Sequence, residues 1–180
     1  MGIRASVFIA TSLDGFISRK DGSIDWLNEA NTMVSPGEDC GYKVFAESVD
    51  VLVMGRHTFD LVRTFDAWPY GDKRVVVLSS GPVEIPVDWR KTVSSSSEAP
   101  DVLLRRLEAE GFRHAYIDGG ITIQRFLTAG LIDELTITLI PVLLGEGRPL
   151  FGALEKDVKL KLLRTKAYEF GFVQVVYTTR

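Results

Sequence analysis

The chain has 180 residues, enough for one domain with a sizeable core, and its 46% hydrophobic and 25% charged residues fall in the ordinary globular range. A net charge of −3 offers no basic field to a polyanion, so no nucleic-acid partner is expected. One cysteine and two histidines exclude an internal disulfide and a zinc deaminase centre, and no metal is expected. The first apolar run, residues 3–10, is too short for a signal-peptide core, and no stretch nears the ~18 consecutive apolar residues of a membrane span. The reading is a cytoplasmic protein with no membrane partner.

In chain order, residues 3–10 read as a strand rich in Val, Ile and Phe. Residues 11–31, with Gly15, Gly22 and several polar residues, read as a long loop, and 39–48 as a helix. A short buried strand over 49–54 ends at Gly55, and Phe59 and Val62 mark a helix over 58–63. A near-continuous apolar strand over 74–78 is stopped by Ser79-Ser80-Gly81-Pro82, and Val93 centres a short strand before the polar serines 94–97, which read as a loop. Pro100 opens a helix over 101–110 that Gly111 closes. A strand over 114–117 runs into Asp118-Gly119-Gly120, and a helix over 121–129 is closed by Gly130. A long strand over 133–144 contains Pro141, and strands over 159–164 and 172–178 complete the chain.

Strands alternating with helices predict an α/β fold with a mostly parallel sheet and helices on both faces. Consecutive late strands add an antiparallel edge, which makes the sheet mixed. In such sheets ligands sit at the carboxyl ends of the strands, where the glycine turns of this chain fall.

Four motifs stand there. Met54-Gly55-Arg56-His57-Thr58-Phe59 ends a strand, turns tightly and starts a helix. Helix N-terminal N–H groups attract phosphate, Arg56 adds a charged fork, and Thr58 can cap or donate. An ordinary turn with an exposed arginine reads the same way. Asp118-Gly119-Gly120 allows close backbone approach by a pyrophosphate, although a glycine pair after a strand is common. Leu78-Ser79-Ser80 offers hydroxyls at a strand end, which is also a plain turn signal. Ser12-Leu13-Asp14-Gly15 is either a loop that closes over a reactive ring or a plain hairpin turn. Two phosphate-type turns in one chain carry more weight than either, because a dinucleotide needs more than one contact. Cys40 reads as a small buried residue.

These residues together resemble the dihydrofolate reductase superfamily. The runs Ser12-Leu13-Asp14-Gly15, 130–135 and 141–151 resemble more closely the reductase domain of the bacterial riboflavin biosynthesis deaminase-reductase. The resemblance covers nearly the whole chain and implies a three-layer, dihydrofolate reductase-like fold over 1–180, NADPH as hydride donor, and a homodimer. By that likeness Gly55, Arg56, His57 and Thr58 hold the cofactor phosphates. Arg56 with Ser79 and Ser80 takes the ribose 2′-phosphate, Leu78 before them lines the cofactor site, Gly119, Gly120, Ile121 and Thr122 take the pyrophosphate, and Ala10 and Ile17 flank the nicotinamide. Trp26 resembles the tryptophan of the folate enzyme's loop. Asp39 is the best match by spacing to the folate enzyme's substrate carboxylate, though its surroundings differ. No deaminase motif accompanies the reductase-like run, so the resemblance is to a stand-alone module.

The expected activity is reduction of a C=N or C=O bond in a small heterocyclic or sugar-like substrate. That substrate would lie among Trp26, Asp39, Tyr42, Pro141, Leu144 and Gly145, with Asp39 as the candidate catalytic group. Dihydrofolate reduction is one alternative, and a non-catalytic nucleotide-binding or dimerisation module is another.

Overall fold

A computed structural model describes residues 2–180. Ten strands and five helices appear in the order β1 (Arg4–Ser12), β2 (Phe16–Ser18), α1 (Asp25–Asn31), α2 (Tyr42–Ser48), β3 (Val51–Gly55), α3 (Arg56–Val62), β4 (Arg74–Leu78), β5 (Val93–Ser96), α4 (Pro100–Ala109), β6 (His114–Asp118), α5 (Gly120–Thr128), β7 (Glu134–Ile140), β8 (Arg148–Pro149), β9 (Lys161–Ala167) and β10 (Val173–Thr178). A single 3-10 turn, Val87–Trp89, precedes β5. Among the described residues no helix is long and apolar enough to cross a membrane.

Eight strands form one sheet in the order β5-β4-β3-β6-β1-β7-β10-β9. The strands from β5 to β7 are mutually parallel, and β10 runs antiparallel between β7 and β9. The parallel strands are apolar on both sides, as Val51-Leu52-Val53-Met54 and Val75-Val76-Val77 illustrate, because helices cover both faces. On one face Leu103 and Leu107 of α4 and Ile123 and Phe126 of α5 pack over Val53, Val76, Ile117 and Leu135. On the other, α1, α2 and α3 contribute Trp26, Phe45 and Phe59 above Leu52, Met54, Val77 and Ile140. The three layers follow from that division.

Several elements differ from the sequence reading, among them β8 (Arg148–Pro149), which it lacks, and β9, which runs over Lys161–Ala167 rather than 159–164. The stretch read as one loop over 11–31 contains the short strand β2 and the helix α1, whose Trp26 and Ala30 stand four apart and face the core. The serines 94–96 lie in β5, because parallel pairing with β4 satisfies their backbone groups whatever their side chains prefer. The long strand ends at Ile140, since Pro141 has no N–H to extend the ladder.

The topology locates the cleft. From β3 the chain crosses through α3 to β4 on one side, whereas from β6 it crosses through α5 to β7 on the other. β3 and β6 are adjacent, so their carboxyl ends border the switch point at which α/β sheets bind ligands.

Candidate active site

The two glycine turns meet at that switch point. Gly55 ends β3 immediately before α3, and Gly119 stands between β6 and α5 with φ 91°. A β-carbon on Gly55 would lie 2.8 Å from Thr122 Oγ1, and one on Gly119 would lie 2.5 Å from Thr58 Oγ1 and 3.5 Å from the Gly55 nitrogen. Each turn thus receives a threonine from the other's helix. This reciprocal packing requires both glycines and brings the N-termini of α3 and α5 together, where the exposed N–H groups form a positive pole. Gly120 is equally close-packed: a β-carbon there would meet Ile17 Cδ1 at 2.8 Å and the Pro149 carbonyl at 3.3 Å. The paired strands β2 and β8 therefore close against the start of α5.

Arg56 lies exposed on α3, its Nη1 donating to the Pro82 carbonyl at 2.9 Å and its Nε to Asp60 at 3.4 Å. Its guanidinium is thereby laid beside the turn after β4, which holds half-buried Ser79 and exposed Ser80. Ser79 Oγ accepts from Gly81 N at 3.2 Å, and Leu78 is 6% exposed and belongs to the core. His57 and Ile121 are exposed on the first turns of their helices.

The rest of the cleft lies on the face of α1 and α2. Trp26, Ala10, Cys40 and Leu144 share one apolar cluster, and Trp26 Nε1 is enclosed without a partner. Tyr42 meets Phe8 edge to face at 5.6 Å and belongs to the neighbouring cluster. Pro141 and Gly145 are exposed on the loop after β7. Asp14 ties that loop to the end of β1. It accepts from Ser12 Oγ at 2.6 Å, from Leu144 N at 3.1 Å and from Gly145 N at 2.7 Å. The Ser12 hydroxyl above all, with the Gly145 and Leu144 N–H groups, holds its carboxyl below the usual range against the opposing effect of desolvation. The Ser12–Gly15 turn is thus a fixed bracket between two loops.

Asp39 corrects the sequence reading. It is exposed, and its carboxylate accepts from Gly41 N and Lys43 N, both at 2.8 Å. The Lys43 and Gly41 N–H groups hold its carboxyl below the usual range. It is a cap for the start of α2, ionised and occupied, and is unsuited to donate a proton.

The group that sequence reasoning passed over is Asp118. It is the last residue of β6 and pairs in register with Met54, beside the interlocked turns. One oxygen accepts from Gly119 N at 2.8 Å. Burial pushes its carboxyl up to about 6, with the Gly119 N–H opposing. The charge of Asp118 reaches the phenols of Tyr42, Tyr70 and Tyr116, which burial above all pushes up. Tyr116 is otherwise engaged, donating to the Phe8 carbonyl at 2.8 Å. A carboxylic acid poised near neutrality in a cleft is suited to proton transfer. The signal was present in the sequence as the residue before the glycine pair, but its protonation depends on burial.

A family model for the RibD C-terminal domain matches residues 5–174. This chain belongs to the RibD C-terminal domain family. It is similar to the uncharacterized protein YwjB of Bacillus subtilis, 38% identical over 165 residues that cover 90% of each protein. It is similar to a crystal structure of a putative riboflavin biosynthesis protein from Shewanella sp. PV-4, with 42% identity, coverage of 99% of this chain and 98% of that one, and a TM-score of 0.90. A diaminohydroxyphosphoribosylaminopyrimidine deaminase/5-amino-6-(5-phosphoribosylamino)uracil reductase from Thermotoga maritima shares the fold, with 14% identity and a TM-score of 0.72 over 98% of this chain and 56% of that one. The family membership establishes a riboflavin-type, reductase-like domain with the three-layer fold described above.

Proposed function

We propose that this chain is an NADPH-dependent reductase that acts on a C=N or C=O bond of a small heterocyclic, sugar-bearing substrate. The observation that carries the reading is the interlock of Gly55 with Thr122 and Gly119 with Thr58, which unites two helix N-termini at the switch point of the sheet. The residues present fit the cofactor. A pyrophosphate needs converging backbone N–H groups, and the interlock sets the first turns of α3 and α5 side by side, where Arg56, His57 and Thr58 on one helix and Gly120 and Ile121 on the other would hold it, with Gly55, Gly119 and Thr122 fixing the approach of the two helices. Arg56, Ser79 and Ser80 would hold the 2′-phosphate, and Ala10 and Ile17 would border the nicotinamide. Bound there, NADPH supplies a hydride equivalent.

The chain's own groups do the remainder. Trp26, Leu144 and Tyr42 exclude water and orient the acceptor. Asp118 holds a proton on Oδ2, since Oδ1 is engaged by Gly119 N–H, and delivers it to the heteroatom of the reduced bond. The first substrate to test is 5-amino-6-(5-phosphoribosylamino)uracil, which the Thermotoga reductase is named for. Its reduction should consume NADPH in equal amount, with the reduced sugar chain identified by mass spectrometry. Absence of both NADPH binding and turnover would sink the reading.

A homodimer belongs to the same proposal. Beyond the cover of α5, an open apolar groove of about 330 Å³ is lined by Ile137, Leu139, Leu150, Phe151, Leu160 and Val175. The edge strand β9 beside it is exposed along its whole length, with Leu162 and Leu163 each 50% exposed. The two exposed leucines beside this apolar groove call for a cover, and a second copy of the chain would supply one.

A further inference from the structure

A short polar row crosses the sheet at the level of Ala10. The register pairs Ala10 with Thr138 and Thr138 with Gln174, so all three side chains leave the face that carries α1 and α2. Thr138 is 5% and Gln174 7% exposed. Gln174 Nε2 donates to the Cys40 carbonyl at 2.8 Å and to Thr138 Oγ1 at 3.0 Å. A carbonyl can only accept, so chemistry orients this amide with its nitrogen toward Cys40.

The other end of the amide is left over. Gln174 Oε1 takes no hydrogen bond from any described residue. It is not sealed either: among the described residues, the enclosed side-chain polar atoms without a partner are the indole nitrogens of Trp26 and Trp68. Buried acceptors are nearly always paired. Here an acceptor on a buried side chain stays open, in a row with Ala10 and bonded through its amide to Cys40, both of which pack with Trp26. The carboxylate of Asp39 is engaged instead by the Gly41 and Lys43 N–H groups at the start of α2.

On the reductase reading above, we propose that Gln174 is the specificity-determining residue of the substrate site, its Oε1 accepting a hydrogen bond from a neutral, lactam-type N–H of the substrate heterocycle. A carboxylate on this floor would select a protonated amidine edge. A neutral amide oxygen forms no ion pair with such an edge and suits the N–H of a uracil-like ring. A site built to receive such a donor rejects a ring that lacks it, because its own acceptor is then stranded.

The test is calorimetric binding of a diaminouracil and of its dimethyl counterpart, in which both ring N–H groups are blocked, with and without saturating NADP⁺. The protein should bind the unblocked ring about tenfold more tightly. Gln174→Leu should bind both rings alike while its NADP⁺ affinity stays unchanged. Discrimination that persists in Gln174→Leu reflects methyl bulk alone and overturns the proposal, as does failure of the wild-type protein to distinguish the rings. If Gln174→Leu does not fold, Gln174→Met keeps the length without the acceptor and should likewise bind both rings alike. Discrimination that persists in Gln174→Met overturns the proposal. Loss of NADP⁺ binding in the wild-type protein would instead strike the reductase reading, so the two failures are distinguishable.

Discussion

The hydroxyl of Thr58 stands 2.5 Å from the point that a β-carbon on Gly119 would occupy, and Thr122 stands 2.8 Å from the same point on Gly55. The two contacts differ in one respect. Gly119 has φ 91°, in the left-handed region, whereas Gly55 has φ −75°, open to any residue. Gly55→Ala is therefore a purely steric change. It should cost about 1–3 kcal/mol and weaken NADP⁺ binding, and Thr122→Ala in the same chain should recover ~1 kcal/mol or more. Gly119→Ala combined with Thr58→Ala should recover less, because the backbone strain remains. Chemical denaturation of the two double-mutant cycles measures both couplings. Equal recovery at the two sites would contradict the argument.

Asp118 sets activity against stability. Its carboxyl is raised to about 6, so the ionised form is the one that burial penalises. Folding stability from this group is present below the ordinary carboxylate range and is lost as pH rises toward 6. Asp118→Asn should raise stability at pH 7 by about 2 kcal/mol while cutting kcat at least ~100-fold. The wild-type rate should fall about tenfold per pH unit above 6, a dependence that the asparagine variant lacks. Melting curves and a pH–rate profile of both proteins check the pair of effects.

Arg56 decides between cofactors if it holds the 2′-phosphate. Arg56→Ala should lower NADPH affinity about 10- to 100-fold and leave NADH affinity nearly unchanged. Titration with each dinucleotide reads this directly, and an unchanged ratio refutes the role.

His114 links pH to folding at the amino-terminal end of the central strand β6. Its Nε2 lies 2.8 Å from Ser6 Oγ and its Nδ1 3.0 Å from the Ser48 carbonyl. Burial above all lowers its pKa, with Arg4 acting in the same direction, while the Ser48 carbonyl, Asp50 and Glu134 oppose. A depressed histidine pKa means its stability is full above the unfolded value of about 6.5 and is lost as pH falls below it. His114→Gln should lose the His114 share of this dependence, so that its denaturation midpoint falls less than the wild-type midpoint as pH drops from about 7 to 5. A variant profile that parallels the wild type across that window would exclude the linkage, since the opposing Asp118 dependence is common to both proteins.

The exposed edge offers a test of assembly. Leu162→Glu together with Leu163→Glu should convert a dimer to a monomer in light scattering, with NADP⁺ affinity retained. A wild-type protein that is monomeric at all concentrations removes the dimer from the proposal.

Much of the fold was legible in the chain. Strand β4, residues 74–78, is read to the residue, because a valine run bounded by Ser, Gly and Pro has one local interpretation. The helix α1 was not, since Gly15 and Gly22 dominate its surroundings and only seven residues carry its period. Of the site, the glycine turns were legible as turns, but their interlock was not, because Thr58 and Gly119 are distant in sequence. Asp39 was misplaced for a related reason: spacing along the chain says nothing of which backbone N–H groups will claim a carboxylate.

The sequence by itself determined the alternation of strands and helices, the glycines at two strand ends and the family to which the chain belongs, because periodicity and turn chemistry act over a few residues. Tertiary structure alone decided that Asp118 is half-buried and desolvated while Asp39 is exposed, and that Gln174 stands in one row with Thr138 and Ala10. Those outcomes rest on desolvation and on strand register, which arise only when segments far apart in the chain are brought into contact.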